Sequence, residues 1–312
     1  MESEEFTDEL TTQDMGKVST TAEEEDGVVE VSKIPRVIHQ MWIDRRGGNL
    51  GPPTKYIPFT ESIVKHNPGW TYKLWNGDQI EELFKKNEQF APYYSLYKRM
   101  RYPVMKADIA RLIVLYLEGG VYLDLDFVGY RPLDILFQKY PSEVAIVAES
   151  PEASFTWRIA NCFLASVPKH PVWLGLLGEI TRRMKGVHCQ RGIDVCAKSG
   201  PVVLTEYLQG SDFPWTKWII PTRYILPLLP DKKLAADALA ATLERGGEIS
   251  TTEMGTGEDG PFLAAYWWEG SGWGDERTKD FALQLFLIYL MVVPALIFLV
   301  VLIFGWNKGY NL

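Results

Sequence analysis

Several things are scarce in this 312-residue chain, and each scarcity excludes something. There are three cysteines, Cys162, Cys189 and Cys196. Cys189 and Cys196 stand close enough in sequence to pair, but seven residues apart is not a metal-ligand spacing. The odd count builds no even disulfide framework, so the three read as free thiols. The sequence contains no N-x-S/T sequon, which withholds support from a glycosylated lumenal protein. Its first residues have no basic stretch followed by an apolar run, so no signal peptide is expected. Basic excess is also missing. The formal net charge is −8, yet residues 1–30 alone hold eleven acids and one lysine, leaving the remaining 282 residues at about +2. The acidity belongs to a leader, and nothing suggests the strongly basic surface a nucleic-acid partner would want.

What is present is apolar and aromatic, 46% and 13% of the chain, enough for a substantial core. Residues 1–32 are polar and acidic and read as a disordered leader. Residues 33–275 carry the patterning of a folded domain. Residues 281–304 contain one Gln, one Pro and no charge over 24 positions. That length predicts a single transmembrane helix across a hydrocarbon core of roughly 30 Å, followed by a short tail at 305–312. Lys279 and Lys308 flank the span evenly and give no orientation.

Within the domain, strands are expected at 34–42, 70–75, 121–127, 144–149 and 162–166. Helices are expected at 78–86, 104–118, 171–185 and 201–210. Pro103, Pro171 and Pro201 open three of these helices, and Gly119 and Gly120 close the second. Strand and helix alternate, which predicts an α/β domain with a mainly parallel sheet.

The stretch "EGGVYLDLDFVGYRPLD" (118–134) raises the sharpest chemical question. Read as one strand, it puts Val121, Leu123, Leu125 and Phe127 on one face and Tyr122, Asp124 and Asp126 on the other. Two carboxylates about 7 Å apart beside a core repel and lose hydration, so a positive partner is expected. Carboxylates at i and i+2 suit a hard divalent cation, which can also bridge a substrate's phosphates. Asp108 and Arg111, at i and i+3 of the preceding helix, share a face. They read either as an intrahelical ion pair or as a pair reaching a ligand at the strand end.

The run A-D-x-x-R-x-x-x-L-Y-x-x-G-G-V-Y-L-D-L-D resembles the DXD-containing sugar-binding region of family 32 glycosyltransferases. "IPRVIHQMW", "NPGWTYKLWN", "RPLD", "NCFLASVPKHP", "SGPVVLTEYL" and "EGSGW" resemble further blocks of that family, in order. The overall pattern is similar to the inositol-phosphorylceramide mannosyltransferase branch, the catalytic subunits of mannosylinositol phosphorylceramide synthase. The resemblance implies a GT-A fold and a retaining transfer from a nucleotide sugar, GDP-mannose favoured, assisted by Mn²⁺ or Mg²⁺. It implies Asp126 as a direct metal ligand and Asp124 as a metal or donor contact. It also implies donor contacts from Trp42, Asp108, Arg111 and Asn161. Ser271 and Trp273 would meet metal and diphosphate. The His that many relatives carry before this block is missing here, and Glu269 is the candidate replacement. The acceptor would be an inositol-phosphoceramide-type lipid or a glycan, with Lys98, Arg99 and Arg101 as candidates for its phosphate. A Golgi or ER membrane, on a side the sequence leaves open, and a regulatory membrane subunit complete the expectation. Two alternatives stand beside it: a transferase with another nucleotide sugar or a polysaccharide acceptor, and a sugar-nucleotide-binding protein without turnover.

Overall fold

A computed structural model describes residues 32–44, 51–100, 102–148, 159–185, 195, 197–225 and 260–265. The leader, the 281–304 span, and Glu269, Ser271 and Trp273 lie outside the described residues. No helix among the described residues is long and apolar enough to cross a membrane.

The centre is a six-stranded sheet in the order β2-β1-β3-β6-β5-β7. Its strands are β1 (Val37–Trp42), β2 (Thr71–Asn76), β3 (Gly120–Leu123), β5 (Val144–Ala148), β6 (Ile159–Ser166) and β7 (Ile219–Ile220). β1 pairs in parallel with β2 and β3, and β5 with β7. β6 runs antiparallel to both β3 and β5. The sheet is therefore mixed, with the parallel pairings in the majority. A separate two-stranded ribbon joins β4 (Phe127–Gly129) to β8 (Leu263–Ala265) in antiparallel register.

Alternation divides the core between the two faces of the sheet. Tyr122, Val144, Ile146 and Leu164 point into a cluster shared with α2 (Gly77–Lys86), α3 (Ala91–Arg99), α4 (Pro103–Glu118), α6 (Pro171–Met184) and α7 (Pro201–Gln209). Val121, Leu123, Ala145, Val147 and Phe163 point the other way, with Ile63 of α1 (Ile57–His66), Leu133 and Leu136 of α5 (Leu133–Lys139), and the ribbon. Both faces are covered, so the strands read as nearly continuous apolar runs. α6 starts as the sequence suggests: the His170 ring accepts a hydrogen bond from the Val172 N–H, and Pro171 follows.

Two glycines set the angle at which α4 hands over to β3. Gly119 (φ 66°, ψ −151°) ends the helix, and Gly120 (φ 86°) begins the strand. A Cβ on Gly119 would lie 2.7 Å from the Pro168 nitrogen, and one on Gly120 2.5 Å from the Val37 carbonyl oxygen. Any side chain would push the strand out of its slot between β1 and β6.

One expectation needs correcting. Residues 121–127 are not a single strand. β3 ends at Leu123, Asp124–Asp126 form a turn, and β4 then pairs in the ribbon rather than the main sheet. Alternation hides the break because Leu125 is buried like a strand residue. The two aspartates thus flank a turn that links two sheets.

Candidate active site

The carboxyl ends of the parallel strands β1, β2 and β3 lie on one edge of the sheet, where ligand sites of open α/β sheets form. Trp42 ends β1 there, and the Asp124–Asp126 turn leaves β3 at the same edge. Trp42 is half-buried, its ring 5.9 Å from that of Tyr56. Burial, then the charges of Asp126 and Asp124, push the Tyr56 hydroxyl up to about 12, so this aromatic pair borders the acids.

The cation expected beside the acids is, in part, protein. Arg111 projects from α4 with one terminal nitrogen 3.5 Å from Asp124 Oδ1 and the other 3.0 Å from Asp108 Oδ1. Its Nε donates to the Ala107 carbonyl, and Nη1 donates to the Asn161 carbonyl. The guanidinium lies 4.4 Å from the centre of the Tyr122 ring. Tyr122 in turn donates its hydroxyl to Asp124 Oδ1 at 2.7 Å. Burial opposes the charge on Arg111, but Tyr122, Asp124 and Asp108 hold its pKa above the ordinary value. Stripping one partner from a buried pair of this kind costs about 3–5 kcal/mol, so Arg111 holds the site together whatever else it touches.

Asp108 is the hub behind Arg111. Oδ1 accepts from Asn161 Nδ2 at 2.9 Å, and Oδ2 accepts from the Ser199 hydroxyl at 2.7 Å. Burial raises its pKa to about 6, against the pull of Arg111, Ser199 and Asn161. The intrahelical Asp108–Arg111 pair, one of the two readings that the sequence left open, is present, and Asn161 joins it. Four of the sequence-selected residues, Asp108, Arg111, Asn161 and Asp124, form one bonded cluster.

Asp126 differs from Asp124. It is half-buried, and burial followed by the charge of Asp124 pushes its pKa up to about 8, with Lys55 pulling the other way. Asp124 has Arg111 and Tyr122 on one oxygen; the strain of the pair falls on Asp126. A divalent cation fits that donor set, because carboxylate oxygens are hard ligands and a second positive charge is what Asp126 lacks. Among the described residues, no group of three or more His, Cys, Asp or Glu side chains converges as a complete metal cage. The two aspartates would supply part of a coordination shell and leave the rest to substrate oxygens, water or residues elsewhere in the chain.

β8 reaches this edge from the far end of the sequence. Ala265 pairs with Phe127, the residue after Asp126, so β8 runs toward the aspartate turn. Among the basic candidates, Lys98 is bound to Glu81 at 3.0 Å, Arg99 is exposed at the end of α3, and Arg101 is outside the described residues. Sequence reading missed Gln40, Tyr56, Tyr122 as a hydroxyl donor, and Ser199. Only Gln40 carried a signal, an amide inside the apolar strand VIHQMW.

The sequence that builds this site is similar to that of known proteins. Residues 53–143 match the family described as a glycosyltransferase sugar-binding region containing a DXD motif. Inositol phosphoceramide mannosyltransferase 1 of Schizosaccharomyces pombe is 33% identical over 145 residues, 46% of this chain and 41% of that protein. Mannosyl phosphorylinositol ceramide synthase CSH1 of Saccharomyces cerevisiae is 26% identical over 172 residues, 55% of this chain and 42% of that protein. The chain thus spans about half the length of the curated relatives it matches, or less. Among solved structures, the PaToxG glycosyltransferase aligns with a TM-score of 0.44 and 18% identity, over 70% of this chain and 82% of that one. The matched region contains Asp108, Arg111, Asp124 and Asp126, and over it the chain is similar to the glycosyltransferases whose sugar-binding region contains a DXD motif.

Proposed function

We propose that the chain is a metal-assisted, retaining mannosyltransferase of the GT-A type that moves mannose from GDP-mannose to an inositol-phosphoceramide-type lipid. The observation that carries the reading is the asymmetric aspartate pair. Asp124 is already compensated by Arg111 and Tyr122, whereas Asp126 is pushed up to about 8 by burial and its neighbour. The similarity to two yeast enzymes named for inositol phosphoceramide mannosylation supports the donor and acceptor classes.

Asp126 and Asp124 would hold Mn²⁺ or Mg²⁺, which supplies charge neutralisation for the departing diphosphate. The other roles belong to side chains. Arg111 pairs with Asp124 and pins it to α4. Asp108, buried and bonded to Arg111, Asn161 and Ser199, would act from behind, setting the positions of Arg111 and Asn161 beside the donor sugar. Trp42, half-buried beside Tyr56, offers a face to the nucleotide base. Glu269, Ser271 and Trp273 would meet the metal and diphosphate, as the resemblance to the family's C-terminal block implies. The apolar 281–304 segment would tether the enzyme to a Golgi or ER membrane, near a lipid acceptor.

The test is a transfer assay with the full chain, GDP-mannose, Mn²⁺ and an inositol-phosphoceramide acceptor. GDP release and a mannosylated lipid are expected, with loss of both on chelation and at least a hundredfold loss in Asp126→Ala, as for removal of one strong transition-state electrostatic contact. A wild-type chain that binds the donor but never transfers or hydrolyses it would contradict the reading.

A further inference from the structure

The aspartate turn has a support that neither its acids nor its helix provides. Gln40 is completely buried on β1, in a strand that is otherwise mostly apolar. Its Oε1 accepts two hydroxyls, Thr60 Oγ1 at 3.0 Å and Tyr72 Oη at 2.9 Å. Two donors on one oxygen fix the orientation of the amide, so Nε2 must face the other way. There it donates to the backbone carbonyl of Asp124 at 2.9 Å.

That carbonyl needs a partner. The β1–β3 ladder ends with His39 opposite Tyr122, two residues before Asp124. On the other side, the Asp124 N–H still reaches the Cys162 carbonyl of β6 at 3.0 Å. Asp124 lies one residue past the end of β3, outside the β1–β3 ladder, and an unpaired polar group is costly where water is scarce. Gln40 replaces the missing rung with a side chain. The two peptides that flank the Asp124 Cα, where strand becomes turn, are thereby held one from each neighbouring strand. Their rotation sets how far apart the Asp124 and Asp126 carboxylates stand.

We infer that Gln40, oriented by Thr60 and Tyr72, is a positioning residue that fixes the Asp124 backbone and so the separation of the two carboxylates that would grip a divalent cation. The inference rests on the cation reading of those carboxylates, but its structural half stands without metal.

Two variants of the full chain test it, Gln40→Met and the double variant Thr60→Val/Tyr72→Phe. The first removes the donor at similar length; the second keeps Gln40 and frees its amide to flip. Metal-free backbone hydrogen exchange at Leu125 and Asp126 should accelerate roughly tenfold in Gln40→Met and roughly threefold in the double variant, the scale of one net hydrogen bond or part of one. Exchange in α4 and β5 should not change. Mn²⁺ binding, read by electron paramagnetic resonance with Mn²⁺ alone, should weaken by similar factors. If Gln40→Met does not fold, the double variant decides. Unchanged exchange at the turn in a folded variant, or faster exchange with unaltered Mn²⁺ affinity, overturns the inference. A wild-type chain that does not bind Mn²⁺ at all refutes the cation reading, while the exchange data still decide whether Gln40 holds the turn.

Discussion

His39 shows how one side chain can tie pH to stability. It is fully buried between β1, β2 and the start of β3. Its Nδ1 accepts from the Trp75 indole at 3.1 Å, which leaves Nε2–H to donate to the Gly119 carbonyl at 2.9 Å. Both bonds suit the neutral ring. Burial lowers its pKa to about 4, although Glu118 and the Gly119 carbonyl pull upward. The native state therefore binds a proton later than the unfolded chain does. The stabilisation is complete above about pH 6.5 and is lost as pH falls toward 4, with about 3 kcal/mol at stake at 1.36 kcal/mol per unit. Denaturant melts between pH 7 and 4 should show that decline, and a His39→Gln variant should lack most of it. A decline of equal size in the variant would assign the effect to carboxylates instead. At this scale, the acids of the candidate site were legible in the sequence, because Asp124 and Asp126 interrupt an apolar run and Asp108 and Arg111 share a helical face. Gln40, Tyr122 and Ser199 were not. Their roles depend on which carbonyl or carboxylate lies across the fold, and no local pattern encodes that.

At the scale of elements, α4 and its glycine exit position the site. Pro103 starts the helix and Gly119 ends it, so its extent could be read directly from the chain. The junction also yields a stability prediction. Gly119 adopts a conformation open almost only to glycine, and a Cβ there meets Pro168 at 2.7–2.8 Å. Gly119→Ala should cost at least about 2 kcal/mol in chemical denaturation, the range for backbone strain of this kind. A loss below about 0.5 kcal/mol would mean the helix exit tolerates a side chain, against the geometry described. The end of β3 was not legible. Apolar alternation runs through Phe127, and the change of sheet after Leu123 depends on β8, more than 130 residues later in the chain. Helices α1, α3 and α5 were also passed over, although α1 and α3 carry Pro in their first turn as the recognised helices do. Their apolar faces are short, and burial against the sheet completes what propensity leaves marginal.

For the molecule as a whole, a sheet edge brings strand ends, an internal arginine and a two-aspartate turn together, and the proposed function has a cation and a nucleotide diphosphate bind there. Asp126 is pushed up to about 8 in the free protein. Below that pH a cation must displace a proton, so its affinity should rise about tenfold per pH unit up to about pH 8 and then level off. The most direct measurement is Mn²⁺ binding by the full chain, followed by electron paramagnetic resonance from pH 6 to 9, with and without GDP, in the wild type and in Asp126→Asn. The account predicts the rise and plateau in the wild type, tighter binding with GDP present, and at least a tenfold loss in Asp126→Asn, about 1.4 kcal/mol for a charged contact. Mn²⁺ affinity that is flat across this pH range, indifferent to GDP and equal in both proteins would contradict it.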